Sequence, residues 1–203
     1  MKISNNRNTS LARNIKRAAI GFALSSVAAS ASADWELDAE QTALHFLSTK
    51  NAQVTEVHQF TSLSGSVTSS GELTVDIDLS SVDTGIDIRN SRMKEMLFNV
   101  SEFASATFEA SLPEAMLSGK AGDVQLGPVE GMLSLHGMAA PVTFHIAVSH
   151  VDENTVSVST TQPSLLNVAD FGLESGVESL REIAGLKSIT TTVPVTFTAT
   201  FTK

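Results

Sequence analysis

The 203-residue sequence has no cysteine and no tyrosine, and only one tryptophan and five prolines. Without a thiol there can be no disulfide, thiol catalysis, thiolate zinc site, iron–sulfur cluster, covalently attached haem or cysteine-borne lipid anchor. Cations are also scarce, with 13 Lys and Arg against 22 Asp and Glu. Five of the 13 (Lys2, Arg7, Arg13, Lys16 and Arg17) lie at the start of the chain, and every acidic residue lies after residue 33. A phosphate backbone is bound by clustered cations, so nucleic acid is excluded as a partner. No apolar run reaches the roughly 20 residues that a helical membrane span requires. The longest candidate, Ala18 to Ala29, has 12 residues.

That short run belongs to a three-part pattern. A basic stretch precedes it, and Ala31-Ser32-Ala33 follows it ahead of Asp34. Small residues in those positions suit a signal peptidase, so residues 1–33 are expected to be a signal peptide cleaved after Ala33, with the periplasm as destination. Residues 34–203 are then one domain, because 170 residues can bury a sizeable core but scarcely two. In that domain eight basic residues face 22 acidic ones, a net charge of −14 that favours solubility as a monomer or a homodimer.

Alternation of apolar and polar residues dominates the rest of the sequence, the period of a strand with one buried face. It is clearest in Leu73 to Leu79, Val142 to Val148 and Val193 to Phe201. Weaker alternation marks Ala43 to Ser48, Val57 to Val67, Ala106 to Leu112, Val129 to Leu135 and Thr155 to Thr160, giving about eight strands. Turns are expected at Ser69-Ser70-Gly71, Gly137 to Pro141 and Asp152-Glu153-Asn154, and a Gly-containing loop at Ala115 to Gly127. Short connections favour antiparallel neighbours, and one-sided strands need a second sheet or closure, so the fold is an all-β sandwich or barrel. Two segments instead carry helical spacing: Met93, Met96, Leu97 and Val100, then Leu173, Val177, Leu180 and Ala184.

Catalytic patterns are not found. No Gly-x-Ser-x-Gly elbow is present, and the histidines at 45, 58, 136, 145 and 150 show no metal-ligand spacing. His145 and His150, five apart on a strand, face opposite sides. The expectation is a protein that is not an enzyme and has neither a metal nor a cofactor.

Val82-Asp83-Thr84-Gly85-Ile86-Asp87-Ile88-Arg89-Asn90, continuing through Met96-Leu97-Phe98-Asn99-Val100 to Ala106-Thr107-Phe108, resembles the signature of the YceI family of lipid-binding proteins. Gly131-Met132-Leu133-Ser134-Leu135-His136-Gly137, Pro141-Val142, Phe171-Gly172-Leu173 and Leu186-Lys187-Ser188-Ile189 match in the same order, as do Trp35 to Asp38, Phe46, Phe60 and Gly65. Asn90 stands where the family often has an acidic residue, and Ala104 where proline is common. The resemblance implies a lipocalin-like, eight-stranded antiparallel barrel with one or two short helices, whose apolar tunnel holds an isoprenoid quinone or another long-chain lipid.

Ten Phe and no Tyr suit such a ligand, because a hydrocarbon chain offers no hydrogen bonds to a hydroxyl-bearing wall. Small residues at expected inward positions (Ala43, Val75, Val129, Gly131, Val142, Ala199) leave room for it, although inward residues can equally fill a barrel of this size. The candidate ligand-binding residues are Phe46, Phe60, Val75, Ile77, Arg89, Met93, Leu97, Phe98, Phe108, Leu133, Leu135, Phe144, Ile146 and Phe197. Arg89 either pairs with Asp83 or Asp87 or donates to a polar head group. The Met93 segment is either a core element or a flap over the tunnel. The expected function is periplasmic sequestration or transport of a long-chain isoprenoid lipid, with transient membrane contact. The alternatives are an enzyme acting on a bound lipid and a stress-linked structural protein with a filled barrel.

Overall fold

The computed structural model describes residues 33–203, so the expected leader, apart from Ala33, lies outside the described residues. Eleven strands form one antiparallel sheet: β1 (Ala33–Lys50), β2 (Val54–Phe60), β3 (Leu63–Thr68), β4 (Glu72–Asp78), β5 (Val82–Asp83), β6 (Ser105–Ser111), β7 (Val124–Leu135), β8 (Met138–His150), β9 (Thr155–Thr160), β10 (Ser164–Asn167) and β11 (Thr192–Thr202). Eight of them close a barrel in the order β1-β3-β4-β6-β7-β8-β9-β11, with β11 returning to β1 through Glu36↔Thr202 to Phe46↔Val195. The other three, β2, β5 and β10, extend the wall at one end. Closure satisfies the ladder hydrogen bonds that the edge strands of an open sheet would leave unpaired.

Alternation places the core inside. On β8, Val142, Phe144, Ile146 and Val148 are buried while Thr143 and His145 are exposed. On β4, Val75 and Ile77 lie opposite Phe108 and Ala106 of β6. The β7–β8 hairpin is tighter than expected. Only His136 (φ 53) and Gly137 (φ 76) form the turn, both left-handed as a type I′ turn requires, and Met138 to Pro141 already belong to β8.

Other expectations need correction. The segment Val57 to Val67 is two strands, because the chain turns at Thr61 and Ser62, where both backbone amides bond to Ser81. The loop expected at Ala115 to Gly127 contains a short helix, α2 (Glu114–Leu117), as well as the start of β7. The helical segment at Met93 begins earlier, as α1 (Asp87–Arg92), and then widens into a π turn at Met93–Leu97, where the Phe98 amide donates to the Met93 carbonyl five residues back. Val100 lies beyond it. The second helical segment is α3 (Glu174–Ile183), which opens after a 3₁₀ turn at Val168–Phe171.

Candidate functional site

A cavity of about 390 Å³ runs through the barrel interior. Its lining reaches along β1 from Trp35 to Ser48. At a rise of about 3.3 Å per residue and a strand tilt of about 40°, that stretch covers roughly 30 Å of barrel axis. A volume of this size spread over such a length makes a slender path, as wide as a single chain.

The two ends of the path differ. At the inner end, Trp35, Val67, Met116, Val148, Val156 and Phe201 are all buried. Met116 and Leu117 of α2 line this end, Met116 buried, so the Ala115 to Gly127 stretch is not a free loop. At the other end the lining reaches the surface at Ile183, which is 48% exposed, and at Ala184. That end is the mouth.

Two elements frame the mouth. The β1–β2 hairpin is tied to the segment after α3 by the Asn51 amide donating to the Ser188 carbonyl (2.9 Å), the Lys187 amide to Asn51 Oδ1 (2.8 Å) and the Thr190 amide to the Thr49 carbonyl (2.9 Å). The helix α3 turns Val177, Leu180 and Ile183 toward the tunnel and packs closely on the π turn. Gly176 permits that approach, since a Cβ there would sit 2.8 Å from the Met96 carbonyl oxygen and 2.9 Å from Leu97 Cα. The π turn itself places Met93 and Phe98, five apart, on the tunnel side, and Met96 is left out of the lining.

Below the mouth an aromatic series descends along the wall. Phe46 lies 5.3 Å from the His58 ring and 5.4 Å from Phe60, which lies 5.8 Å from Phe98. Farther in, Phe108, Phe144 and Phe197 stack edge to face at 5.2 and 5.3 Å. The Phe108 ring occupies the space above Gly131, where a Cβ would fall 2.5 Å from Phe108 Cζ. Of the small residues expected to leave room, Val75, Val129 and Ala199 line the tunnel, whereas Ala43, Gly131 and Val142 do not. Large rings, more than small residues, shape this stretch.

All fourteen candidate residues lie on the tunnel wall. Phe46, Phe60, Met93, Leu97 and Phe98 are near the mouth with Arg89, and Val75, Ile77, Phe108, Leu133, Leu135, Phe144, Ile146 and Phe197 come from barrel strands. Among them only Arg89 is charged. It pairs with neither Asp83 nor Asp87. Its Nη1 donates to Glu56 Oε2 (2.9 Å) and its Nη2 to the Thr84 carbonyl (2.7 Å), while Lys50 Nζ meets the same Glu56 oxygen at 2.6 Å. Asp83 instead accepts from Gln59 Nε2 and from the Gly85 amide. Asn90 holds the turn from which Thr84 reaches Arg89, its Oδ1 accepting from the Thr84 amide (2.8 Å) and hydroxyl (2.6 Å).

Glu56 and His58, on the inward face of β2, are wall residues that alternation did not reveal. The hydrogen bond from Lys50, with Arg89 close by, holds the Glu56 carboxyl below its ordinary pKa. Burial and the nearby Arg89 cation push the His58 imidazole below its ordinary value, which keeps it neutral at pH 7.

Comparison with known proteins agrees with this architecture. A polyisoprenoid binding domain from Saccharophagus degradans, implicated in plant cell wall breakdown, shares 37% identity over 84% of this chain and 99% of its own, with a TM-score of 0.81. Burkholderia cenocepacia BcnA shares the fold at 20% identity, with a TM-score of 0.62 over 81% of this chain and 98% of its own. No curated protein matches the sequence. The family described as the YceI-like domain matches residues 35–201, nearly the whole of the barrel just described, and the chain belongs to that family.

Proposed function

We propose that the protein is an exported, periplasmic carrier or reservoir that holds one long-chain isoprenoid lipid, quinone-like in kind, and performs no chemistry on it. The observation that carries this reading is the slender tunnel, walled mostly by apolar side chains, with its charged residues gathered near the mouth and open at that end. A barrel filled by its own side chains would have no such path. The polyisoprenoid-binding character of the Saccharophagus degradans domain, at 37% identity, supports the same ligand class. Affinity needs no polar anchor: at about 0.3 kcal/mol per heavy atom, a tail of about 30 atoms would contribute about 9 kcal/mol, equivalent to sub-micromolar binding. The lipid would enter tail first through the mouth, during transient contact with a membrane.

Native mass spectrometry of protein purified from its own host, followed by organic extraction, tests the reading. The expected result is a long-chain lipid near one per chain. Protein that is consistently empty, and that takes up no lipid when offered it, would rule the carrier out.

A further inference from the structure

The charge of the domain is unevenly placed. Residues 34–203 hold eight Lys and Arg and 22 Asp and Glu. The mouth is framed by the β1–β2 hairpin (residues 48–60), α1 with the π turn (87–97) and α3 with the segment after it (174–190). These elements hold six of the eight cations and six of the 22 carboxylates, so they are neutral in sum. The rest of the domain carries the whole net charge of −14. A negatively charged surface therefore repels the other sides of the molecule and spares the mouth.

Each framing element also sets an exposed aliphatic side chain beside a cation. On the hairpin, Val54, 47% exposed, is the cross-strand partner of Lys50. On α1, Ile88, 59% exposed, lies one turn before Arg92. The exposed Ile183 ends α3, four residues before the exposed Lys187, whose amide bonds back to Asn51 of the hairpin. Lys50, Arg92 and Ile183 line the tunnel, which places the three pairs around its opening. Among the described residues, Arg92 and Lys187 take part in no ion pair.

The other end shows the reverse. Its exposed aliphatics stand beside acids: Val124 follows Asp123, and Val151 precedes Asp152 and Glu153. An aliphatic side chain beside a cation suits the boundary of a bilayer, where the first enters the acyl region and the second meets lipid phosphates. An aliphatic side chain beside a carboxylate meets repulsion there.

We infer that the mouth is a docking face for a bilayer that carries anionic phospholipid, with Val54, Ile88 and Ile183 at the acyl boundary and Arg92 and Lys187 at the phosphates. The acidic remainder turns the molecule mouth-first and keeps the contact brief. The inference rests on the carrier reading, to which it adds the face and the lipid chemistry of the membrane contact. A tunnel opening pressed to the acyl boundary takes up a tail without exposing it to water.

The chain has no cysteine, so a single one can be introduced and labelled with an environment-sensitive fluorophore. Gln53→Cys and Ala184→Cys place the label at the mouth, and Asn154→Cys places it at the other end; all three positions are exposed. With vesicles of mixed phosphatidylcholine and phosphatidylglycerol, the two mouth labels should brighten and shift to the blue while the label at 154 stays unchanged. Vesicles of phosphatidylcholine alone should give a weaker response. Arg92→Ala and Lys187→Ala should each weaken binding to the mixed vesicles about fivefold. Silent mouth labels, an equal response at 154, or an equal response to phosphatidylcholine alone overturns the docking face. Native mass spectrometry of the same preparation judges the carrier separately: protein that holds a lipid yet ignores the vesicles loses the docking face and keeps the carrier reading, and protein that docks but never holds a lipid does the opposite.

Discussion

At the inner end of the tunnel, Trp35, Met116 and Phe201 are held behind paired strands and a short helix, and Lys203 lies over the Trp35 ring at 4.4 Å. At the mouth the wall is a helix, a π turn and a hairpin, joined by a few hydrogen bonds and one ion network. Two histidines sharpen the contrast. His58 near the mouth and His150 at the other end are each 4% exposed, and each has one buried ring nitrogen without a partner among the described residues. His58 faces the tunnel, whereas the His150 ring is covered by Gly119, whose missing Cβ would fall 2.6 Å from Nε2. The difference teaches that one end of the tunnel is sealed by paired strands and packed side chains, whereas the other is closed over by elements held with a few hydrogen bonds and ion pairs.

The most forceful way to break this division is to put a charge inside the barrel. Phe144→Asp or Ile77→Asp should abolish lipid occupancy, measured by extraction, and destabilise the fold by about 3–5 kcal/mol in denaturant titration, because each adds an unpaired carboxylate and removes buried volume. Thr143→Asp, one residue along but on the exposed face, should leave occupancy intact and change stability by no more than about 0.5 kcal/mol. Similar losses on both faces would mean that the tunnel is not where the lipid sits.

The next effect separates the two ends directly. Gly176→Ala should push α3 off the π turn, lower stability by about 1–3 kcal/mol and speed lipid transfer to acceptor vesicles. Gly119→Ala, which crowds His150 at the inner end, should lower stability to a similar degree and leave the transfer rate unchanged. A pair of variants that altered transfer equally would erase the distinction between mouth and barrel.

A smaller change is expected from Glu56→Gln. The Glu56 side chain is about a third exposed, so its ion pairs with Lys50 and Arg89 are partly screened, and their loss should lower stability by only about 0.5–1 kcal/mol. Denaturant titration of the variant beside the unaltered protein checks the size of that loss.

The mildest effect concerns pH. Because the His58 pKa is depressed in the folded protein, the stability linked to its neutral form is fully present above pH 6.5, the ordinary value, and is lost as pH falls from there through the folded pKa. Glu56 adds a second loss only below pH 4.5, since its folded pKa is also depressed. In melting experiments His58→Phe should flatten the first of these slopes and leave the second.

Most of the barrel was legible because the strand period assigns a face without reference to any partner. Leu73, Val75 and Ile77, or Phe144, Ile146 and Val148, announce one dry side wherever they pair. Reading Val57 to Val67 as one strand failed because the turn at Thr61 and Ser62 shifts the phase. Even-numbered residues 56, 58 and 60 face the tunnel before the turn, and odd-numbered 63 and 67 after it. A single period hides Glu56 and His58 and would put Val57, which is 61% exposed, inside. The spacing of Leu173, Val177 and Leu180 announced a helix, but which end of the barrel it covers depends on tertiary contacts. The π turn was not legible at all, since its five-residue step mimics no common period. Arg89 was picked out for its charge, yet its partner Glu56 is 33 residues away on another element, a pairing that only the folded chain reveals.

The closure of β11 on β1 bears on how the molecule comes into being. Partners such as Glu36 and Thr202 are separated by most of the described chain, so their meeting carries a large loop entropy and belongs late in folding. Until then the sheet has two free edges and exposes to water the apolar face that later becomes the tunnel wall, the state most prone to pair with a neighbouring chain. Net negative charge keeps such chains apart during this interval. Closing the seam between β11 and β1 removes both edges and hides that face in one step, so the last pairing to form is also the one that ends the exposure.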